Sequence, residues 1–317
     1  MREFELLDHI HRQNAMLPHH VTIPPGDDLG ALELGATELL VGVDQVIDGR
    51  HVNRRTATMA EIGAKAIGRS LSDVAAMAAE PRGTVATAAL PADMTAEDAR
   101  ELSDAMRSCA AHFGAPLIGG DVAVHATADH PLTITVTVLA VPGTIKPVRR
   151  DGARAGDVVY VTGALGATLH DDDRGPHLHV VPRLDAARTL AHTLDDRLHA
   201  MIDLSDGLGQ DAAHLARASR VEIELDAAAI PCRDGASLTA ALSDGEDYEL
   251  LFCAADAASR VVPTTVPSGD GTQLAVTPIG RVLAASDDAQ PIVRLRHADG
   301  SVTDVTDSGW EHRSAES

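Results

Sequence analysis

Hydrophobic residues in the first half of the chain recur at helical spacing. Apolar positions three and four apart predict an amphipathic helix over residues 3–14 and an Ala-rich helix over residues 55–79, which Pro81 ends. A further helix is predicted over residues 95–113, with Thr95 as its N-cap and acidic residues in its first turn. The first half therefore contains three helices with apolar faces to bury.

Runs rich in β-branched residues predict strands between and after these helices. In the first half they cover residues 39–44, 84–90 and 133–141. The segment 142–156 is rich in Pro, Gly and Arg, which indicates a domain boundary. The elements predicted after it are a strand over 157–163, a helix near 183–198, a strand ending at Asp203, a helix from about Gly207, and strands over 221–225, 248–253 and 274–282. We therefore expect an α+β chain with an N-terminal domain over residues 1–145 and a C-terminal domain over residues 146–317.

Composition narrows the class of protein. The 317 residues are 44% hydrophobic but only 2% aromatic, so the core must consist of Ala, Val, Leu and Ile. The formal net charge of −21 argues against nucleic acid as a partner, because phosphate backbones require a positive surface. The same charge does not exclude a nucleotide substrate, since bound Mg²⁺ makes the local charge of a binding site positive.

Cysteine usage and hydropathy indicate a cytoplasmic location. The three cysteines are widely spaced and form no C-x-x-C motif, which argues against a disulfide framework and a zinc knuckle. The first residues carry acidic side chains and no apolar signal-peptide core. No apolar run approaches the roughly 20 residues of a membrane span. We expect a protein that binds neither membranes nor nucleic acid.

Acidic residues beside Gly or Ser at predicted element boundaries are the main chemical feature. The richest run extends from Asp203 to Asp211, and single acids of the same kind are Asp27, Asp44, Asp73 and Asp121. Carboxylates that converge without cationic partners repel one another unless a metal neutralises them. Short Asp side chains suit Mg²⁺, which joins carboxylates to substrate phosphates. The pattern therefore predicts metal-dependent phosphoryl transfer.

Each acid has a structural alternative when it is taken alone. Asp27 and Asp121 also fit turns, and Asp44 also fits a helix cap; only their joint occurrence favours a metal cluster. A Walker P-loop and the protein-kinase motifs are missing. The stretch from Gly163 to Gly166 fits a phosphate cradle or a plain turn. His177 and His179 have no further ligand at recognisable spacing, so a polar loop is favoured over a zinc site.

The acidic motifs together resemble the thiamine-monophosphate kinases, a family in the superfamily of aminoimidazole ribonucleotide synthetase. The resemblance runs from Asp27 to Phe252 with the motifs in the family's order. Its parts are Gly26-Asp27-Asp28, Asp44 to His51, Lys65 to Met77 with its L-S-D core, Gly119-Gly120-Asp121, Arg150 with Gly156-Asp157, Asp203 to Leu208, and Gly245 to Leu250.

The resemblance implies a reaction and a set of site residues. The γ-phosphate of ATP would pass directly to thiamine monophosphate, giving thiamine diphosphate and ADP, in a homodimer that pairs through the sheets of its N-terminal domains. The fold would be that of aminoimidazole ribonucleotide synthetase, with an α/β C-terminal domain. Mg²⁺ would be held by Asp27, Asp44, Asp73, Asp121, Asp203 and Asp206. ATP would contact Gly120, Asp121, Arg150 and Ser205, and the thiamine substrate would contact His51, Glu246 and Trp310. The acceptor phosphate is already ionised at neutral pH, so no general base is expected.

Departures from the family pattern keep two alternatives open. Hydroxyl residues are usual before Asp44, and Thr is usual after it; here the residues are Gly42, Val43 and Gln45. One alternative is another ATP-using member of the superfamily with a different phosphorylated acceptor. The other is a weakly catalytic relative that binds nucleotide.

Overall fold

Two mixed β-sheets with helices between and beside them form the fold. The computed structural model describes residues 12, 17–285 and 292–310, so the helix expected over residues 3–14 lies outside the described part apart from residue 12. The helices are α1 (Met59–Ala76), α2 (Ala96–His112), α3 (Leu184–Leu194), α4 (Leu208–Ser219) and α5 (Leu238–Ser243). The strands are β1 (Val21–Ile23), β2 (Gly30–Leu34), β3 (Thr37–Ile47), β4 (Glu80–Leu90), β5 (Leu117–Val124), β6 (Thr133–Val141), β7 (Val158–Thr162), β8 (Leu198–Asp203), β9 (Val221–Asp226), β10 (Leu250–Ala254), β11 (Thr265–Pro267), β12 (Gln273–Ala284), β13 (Val293–Arg296) and β14 (Val302–Asp304).

The two sheets divide the described chain into consecutive halves. The first sheet has the strand order β1-β2-β3-β6-β4-β5, and only the β4–β5 pair is parallel. The second sheet has the order β14-β13-β9-β12-β7-β10-β8, with β11 beside β12. Every strand pair of the second sheet is antiparallel except β13–β9. The α+β class expected from the sequence is confirmed.

Helix α1 lies between the two sheets. A capping box at Thr58 and Glu61 starts it, with each residue's side chain bonded to the other's backbone N–H. On one side it packs against β3, β4 and β6, and on the other against β8 and α3. Because protein surrounds the helix, even its polar residues Lys65, Ser70 and Ser72 are buried. The motif residues on this helix are therefore held in a fixed position relative to both sheets.

The central strands of the second sheet are buried on both faces. On β10, Leu250 and Phe252 join the apolar core that continues through α1 to the first sheet. The alternate residues Leu251 and Cys253 join a second core beneath α4 and α5. This sandwich holds the end of β8, at Asp203, against α1.

Most predicted elements are confirmed, and the differences have local causes. Thr95 caps α2 as expected, and β6 has the predicted bounds. Strand β3 continues past Asp44 to Ile47, because its pairing with β6 continues to Thr133. Strand β10 begins two residues later than predicted, since Tyr248 has a positive φ of 51°. Within the described residues, no helix is long and apolar enough to cross a membrane.

Candidate active site

Three acids from distant parts of the chain converge beside α1. Asp28 lies in the loop between β1 and β2, Asp73 in the last turn of α1, and Asp203 at the end of β8. One carboxylate oxygen of each lies within 4.8 Å of those of the others. Asp28 and Asp203 are buried, and Asp73 is partly accessible. We call these three residues the acidic cluster; its oxygens suit a hard divalent cation.

The surroundings of the cluster disfavour its negative charge. Burial, and then the nearby Asp28, raise the pKa of Asp203 to about 7, although the Ser72 hydroxyl donates a 2.6 Å hydrogen bond to it. Burial, and then the charges of Asp44 and Asp203, raise the pKa of Asp73 well above its usual range. Burial and Asp28 raise the pKa of Asp27 to about 6. A bound Mg²⁺ would stabilise the ionised form of these carboxylates, which is disfavoured without a metal.

Two arginines hold the first acidic loop. The Arg150 guanidinium donates two hydrogen bonds to the Asp28 carboxylate, from Nε to Oδ2 at 3.1 Å and from Nη2 to Oδ1 at 2.6 Å. The backbone N–H of Arg150 and the Arg149 guanidinium both reach Asp27, each at 3.3 Å. Arg150, which the resemblance assigns to ATP, is thus bonded to an acid of the cluster. The same position brings a fixed positive charge to the edge of the site.

Asp44 and Asp121 project from opposite faces of the first sheet. Strand pairing places Gln45, Thr135, Thr87 and Asp121 in one row across the sheet. Asp44 precedes Gln45, so its side chain points to the other face, where Arg69 of α1 lies 3.5 Å from its Oδ1. Asp121 is exposed on β5, on the face away from α1. Within one chain, Asp44 therefore adjoins the acidic cluster, whereas Asp121 does not.

Asp206 belongs to a second acidic group. With Asp211 and His214 it forms a set whose ligand atoms lie within 4.8 Å of one another. Asp211 accepts hydrogen bonds from the backbone N–H groups of Asp206 and Gly207, at 3.0 and 3.1 Å, and so ties the preceding loop to the first turn of α4. The sequence Asp203 to Asp206 thus extends from one acidic group to the other.

A cavity of about 280 Å³ brings together the residues expected to contact the thiamine substrate. It is lined by Gly49, Arg50, His51, Val52, Asn53, Arg69, Thr168, Leu169, Asp173, His177, Ser205, Asp206, Asp244, Glu246, Tyr248 and Trp310. Ser205 and Asp206 connect this cavity to the end of β8. The cavity therefore opens beside the acids rather than elsewhere on the molecule.

Backbone contacts fix the main lining residues. The His51 Nδ1 atom accepts a 3.0 Å hydrogen bond from the Ile47 N–H, and the Glu246 N–H donates to the Ser205 carbonyl at 2.7 Å. The Trp310 N–H donates to the Asp206 carbonyl at 2.9 Å, which holds the end of the described chain over the cavity. These bonds keep an imidazole, a carboxylate and an indole around one space.

The sequence placed Lys65 and Arg69 within one of the motifs but did not indicate their contacts in this site. Lys65 is wholly buried and forms an ion pair with Glu246, and its Nζ also donates to the His51 carbonyl at 2.6 Å. Arg69 is a basic residue within a stretch of α1 that otherwise consists of apolar and small residues. This contrast was the feature of the sequence that could have indicated it. Gly120 has a packing reason beside its expected role, because a Cβ there would lie 1.9 Å from the Ala86 carbonyl oxygen.

Comparison with known proteins identifies the class. Residues 26–141 match the family model of the AIR synthase related protein N-terminal domain, and residues 154–288 match that of the corresponding C-terminal domain. The chain therefore has the two-part fold of the AIR synthase related proteins.

More specific relatives lie within that class. A thiamine-monophosphate kinase from Rhodopirellula baltica is 36% identical over 232 residues, which is 70% of each chain. The structure described as AaThiL complexed with AMPPCP and TMP is 26% identical, with a TM-score of 0.78 over 98% of this chain and 97% of that one. The thiamine monophosphate kinase from Aquifex aeolicus gives 26% identity and a TM-score of 0.71, covering 96% and 99% of the two chains. This chain belongs to the thiamine-monophosphate kinase family, as the motifs indicated.

Proposed function

We propose that this protein transfers the γ-phosphate of ATP to thiamine monophosphate, giving thiamine diphosphate and ADP. The observation that carries the proposal is the acidic cluster beside a cavity lined by His51, Glu246 and Trp310. The related structure solved with AMPPCP and TMP supports both substrates. Two anionic phosphates must meet in such a reaction, and catalysis consists mainly of positioning and charge neutralisation.

We assign Mg²⁺ to the acids of this site. Asp27, Asp44, Asp73, Asp121, Asp203 and Asp206 remain the proposed ligands, and Asp28 joins them because it belongs to the acidic cluster. The raised pKa values of Asp27 and Asp203 fit this role, since burial and the neighbouring Asp28 disfavour the ionised carboxylates that Mg²⁺ binds. When bound, Mg²⁺ would neutralise the phosphates and hold them together. No side chain has to act as general base, because the acceptor oxygen carries no proton at neutral pH.

We propose that ATP and thiamine monophosphate bind in different cavities. Gly120, Asp121, Arg150 and Ser205 are assigned to ATP. Gly120 and Asp121 line a second cavity between α2 and strands β4 and β5. Thiamine monophosphate is assigned to the cavity of His51, Glu246 and Trp310, whose carboxylates suit the cationic thiazolium ring and whose indole offers a stacking face. The domains are proposed to be residues 1–145 and 146–317.

We propose a homodimer that pairs through the first sheet. Helices α1 and α2 cover one face of that sheet, whereas on the other face the Val43 side chain is 61% exposed. The edge strand β5 also presents Ile118, Val122 and Val124 to solvent. An open sheet face and an apolar edge strand both favour pairing with a second chain. We further propose a cytoplasmic location, which the three free cysteines support.

The test is to follow both products at once. Purified protein with ATP, Mg²⁺ and thiamine monophosphate should produce thiamine diphosphate and ADP in equal amounts, measured by chromatography. ADP formed without thiamine diphosphate would contradict the proposal and indicate another acceptor.

One observation favours the weakly catalytic alternative. A Cβ at Gly42 would lie 2.4 Å from the Leu29 Cδ2 atom, so the hydroxyl residue usual in the family would require the Leu29 side chain to move. ATP binding without either product would support that alternative, and turnover would show that the Gly42 change is tolerated.

A further inference from the structure

Arg69 is a partly buried arginine that uses only part of its hydrogen-bonding capacity within the described residues. Its side chain is 15% exposed and lies on α1 one turn before Asp73. The Nε and Nη1 atoms are buried, and neither has a hydrogen-bond partner among the described residues. The remaining contact, from Nη2 to Asp44 Oδ1, is 3.5 Å long and therefore weak. Buried unpaired N–H groups cost free energy, and a guanidinium with two of them gains stability when an anion meets them.

The position of Arg69 defines what such an anion would reach. Its side chain lines the cavity assigned to thiamine monophosphate. Asp44 lies 3.5 Å from its Nη2 atom and Asp73 follows one turn later on α1, while Tyr248 and Glu246 line the same cavity. Arg69 therefore stands between the acids that would hold Mg²⁺ and the space that would hold the thiamine ring. The phosphate of thiamine monophosphate must occupy this boundary if it is to receive the γ-phosphate of ATP.

Other cationic side chains near the cavity are less suited to binding this phosphate. Lys65 is wholly buried and forms an ion pair with Glu246, and Arg150 is bonded by both arms to Asp28. Arg50 lines the cavity but is exposed. A planar guanidinium binds phosphate oxygens through adjacent pairs of N–H groups, here Nη2 with either Nε or Nη1, which fixes the orientation of the anion as well as its position.

We propose that Arg69 binds the phosphate of thiamine monophosphate and determines the preference of the cavity for a phosphorylated ligand. The inference rests on the proposed function. The thiamine ring would lie towards Trp310 and the carboxylates, and the phosphate would lie at Arg69 beside the acidic cluster. Arg69 then neutralises part of the charge where the two phosphates meet, in a chain whose Gly42 has no hydroxyl at the position two residues before Asp44.

Binding measurements without ATP test this role directly. Trp310 is the only tryptophan and lines the cavity, so its fluorescence reports ligand binding. In Arg69→Gln, the Kd for thiamine monophosphate should rise roughly 10- to 100-fold, the loss expected for a charge-assisted hydrogen-bonded pair, while the Kd for unphosphorylated thiamine stays within about twofold. Arg188→Gln is the matched control, because Arg188 is an exposed helical arginine paired only with Asp185 in the described structure. Equal weakening of both ligands, or of neither, would overturn the proposal.

Steady-state kinetics separate this inference from the proposed function. In Arg69→Gln the KM for thiamine monophosphate should rise while the KM for ATP stays unchanged, and Arg69→Lys, which keeps the charge but loses the paired donors, should fall between. Wild-type turnover with an unchanged KM in Arg69→Gln would reject the Arg69 role alone. A wild-type protein that neither binds nor phosphorylates thiamine monophosphate would reject both. Far-ultraviolet circular dichroism and the melting temperature show that each variant is folded, and Arg69→Lys carries the test if Arg69→Gln is not.

Discussion

Some residues of this site contribute a charge to the proposed reaction, and others hold a neighbouring side chain in position. Asp73 and Asp203 carry charge that the surrounding protein disfavours, as their raised pKa values show. Lys65 instead positions another group, because its buried ammonium holds the Glu246 carboxylate. Substitutions at these two kinds of residue should therefore differ in their effects. Removing a disfavoured charge should raise the free energy of unfolding and stop the reaction. Removing one partner of a buried ion pair should lower the free energy of unfolding.

Asp73→Asn removes a charge while it preserves side-chain volume. We expect kcat to fall by about 10² or more, because an electrostatic group at the transferring phosphate is lost. The melting temperature should stay the same or rise, since repulsion from Asp44 and Asp203 is relieved. Product formation and thermal unfolding measure the two effects. Asp185→Asn, at an exposed position on α3, is the control. Turnover close to wild type would rule out Asp73 as a metal ligand.

Glu246→Gln tests the substrate side of the site. The amide keeps an acceptor oxygen for Lys65 but loses the negative charge facing the cavity. We expect the KM for thiamine monophosphate to rise by roughly tenfold, about 1.4 kcal/mol, and the KM for ATP to remain unchanged. Steady-state kinetics with each substrate varied in turn measure the difference. Equal changes in both KM values would show that Glu246 does not belong to the thiamine pocket.

At the scale of elements, α1 and β3 determine where the chemistry lies. Helix α1 carries Lys65, Arg69 and Asp73 at four-residue spacing, so one face of the helix presents them in a line. Strand β3 alternates its side chains, so that Asp44 faces α1 and Val43 faces away. The same strand therefore contributes to the active site on one face and to the proposed dimer surface on the other.

Val43→Glu tests the dimer surface. A carboxylate on the open face of the first sheet would be buried without a partner in a dimer that pairs there, so the variant should be monomeric at concentrations where the wild type is dimeric. Size-exclusion chromatography with light scattering measures the mass. Val261→Glu, at another exposed valine outside the sheets, should leave the dimer intact. If Val43→Glu remains dimeric, the pairing uses a different surface.

In the molecule as a whole, repulsion between carboxylates makes the stability of the fold depend on pH and on bound metal. The chain carries a net charge of −21, and three of its carboxylates, those of Asp28, Asp73 and Asp203, converge beside α1. A carboxyl group with a folded pKa above its unfolded value stabilises the protein at low pH and loses that contribution as pH rises through the folded pKa. Mg²⁺ acts in the opposite direction, because it binds the ionised form.

The pH dependence of thermal stability follows from these signs. With folded pKa values of about 6 for Asp27 and about 7 for Asp203, against an ordinary value of 3.8, the metal-free protein should lose stability between about pH 4 and pH 7. The increase in melting temperature on adding millimolar Mg²⁺ should be larger at pH 8 than at pH 5. Scanning calorimetry with and without EDTA measures both. A Mg²⁺ effect that does not change with pH would contradict a metal site made of these acids.

Local features of the sequence by themselves determined most elements and the family. Thr95 and the acids that follow it specify the start of α2 through contacts within one turn, and the alternation over residues 133–141 specifies β6. The L-S-D segment and the run from Asp203 could be recognised because each motif is contiguous. Such features depend on neighbours a few residues apart, so they can be read before the chain is folded.

The arrangement of the acids and cations depends on how distant elements pack together. Asp28, Asp73 and Asp203 meet because α1 is packed between two sheets, and contacts across more than 40 residues cannot be read from local spacing. The direction of a side chain depends on strand register, which sends Asp121 to the face opposite Asp44. The Nε and Nη1 atoms of Arg69 have no hydrogen-bond partner among the described residues for the same reason: the hydrogen bonding of a side chain depends on what the fold places around it. The sequence specifies which charges are present, and the packing of distant elements specifies which of them compensate one another.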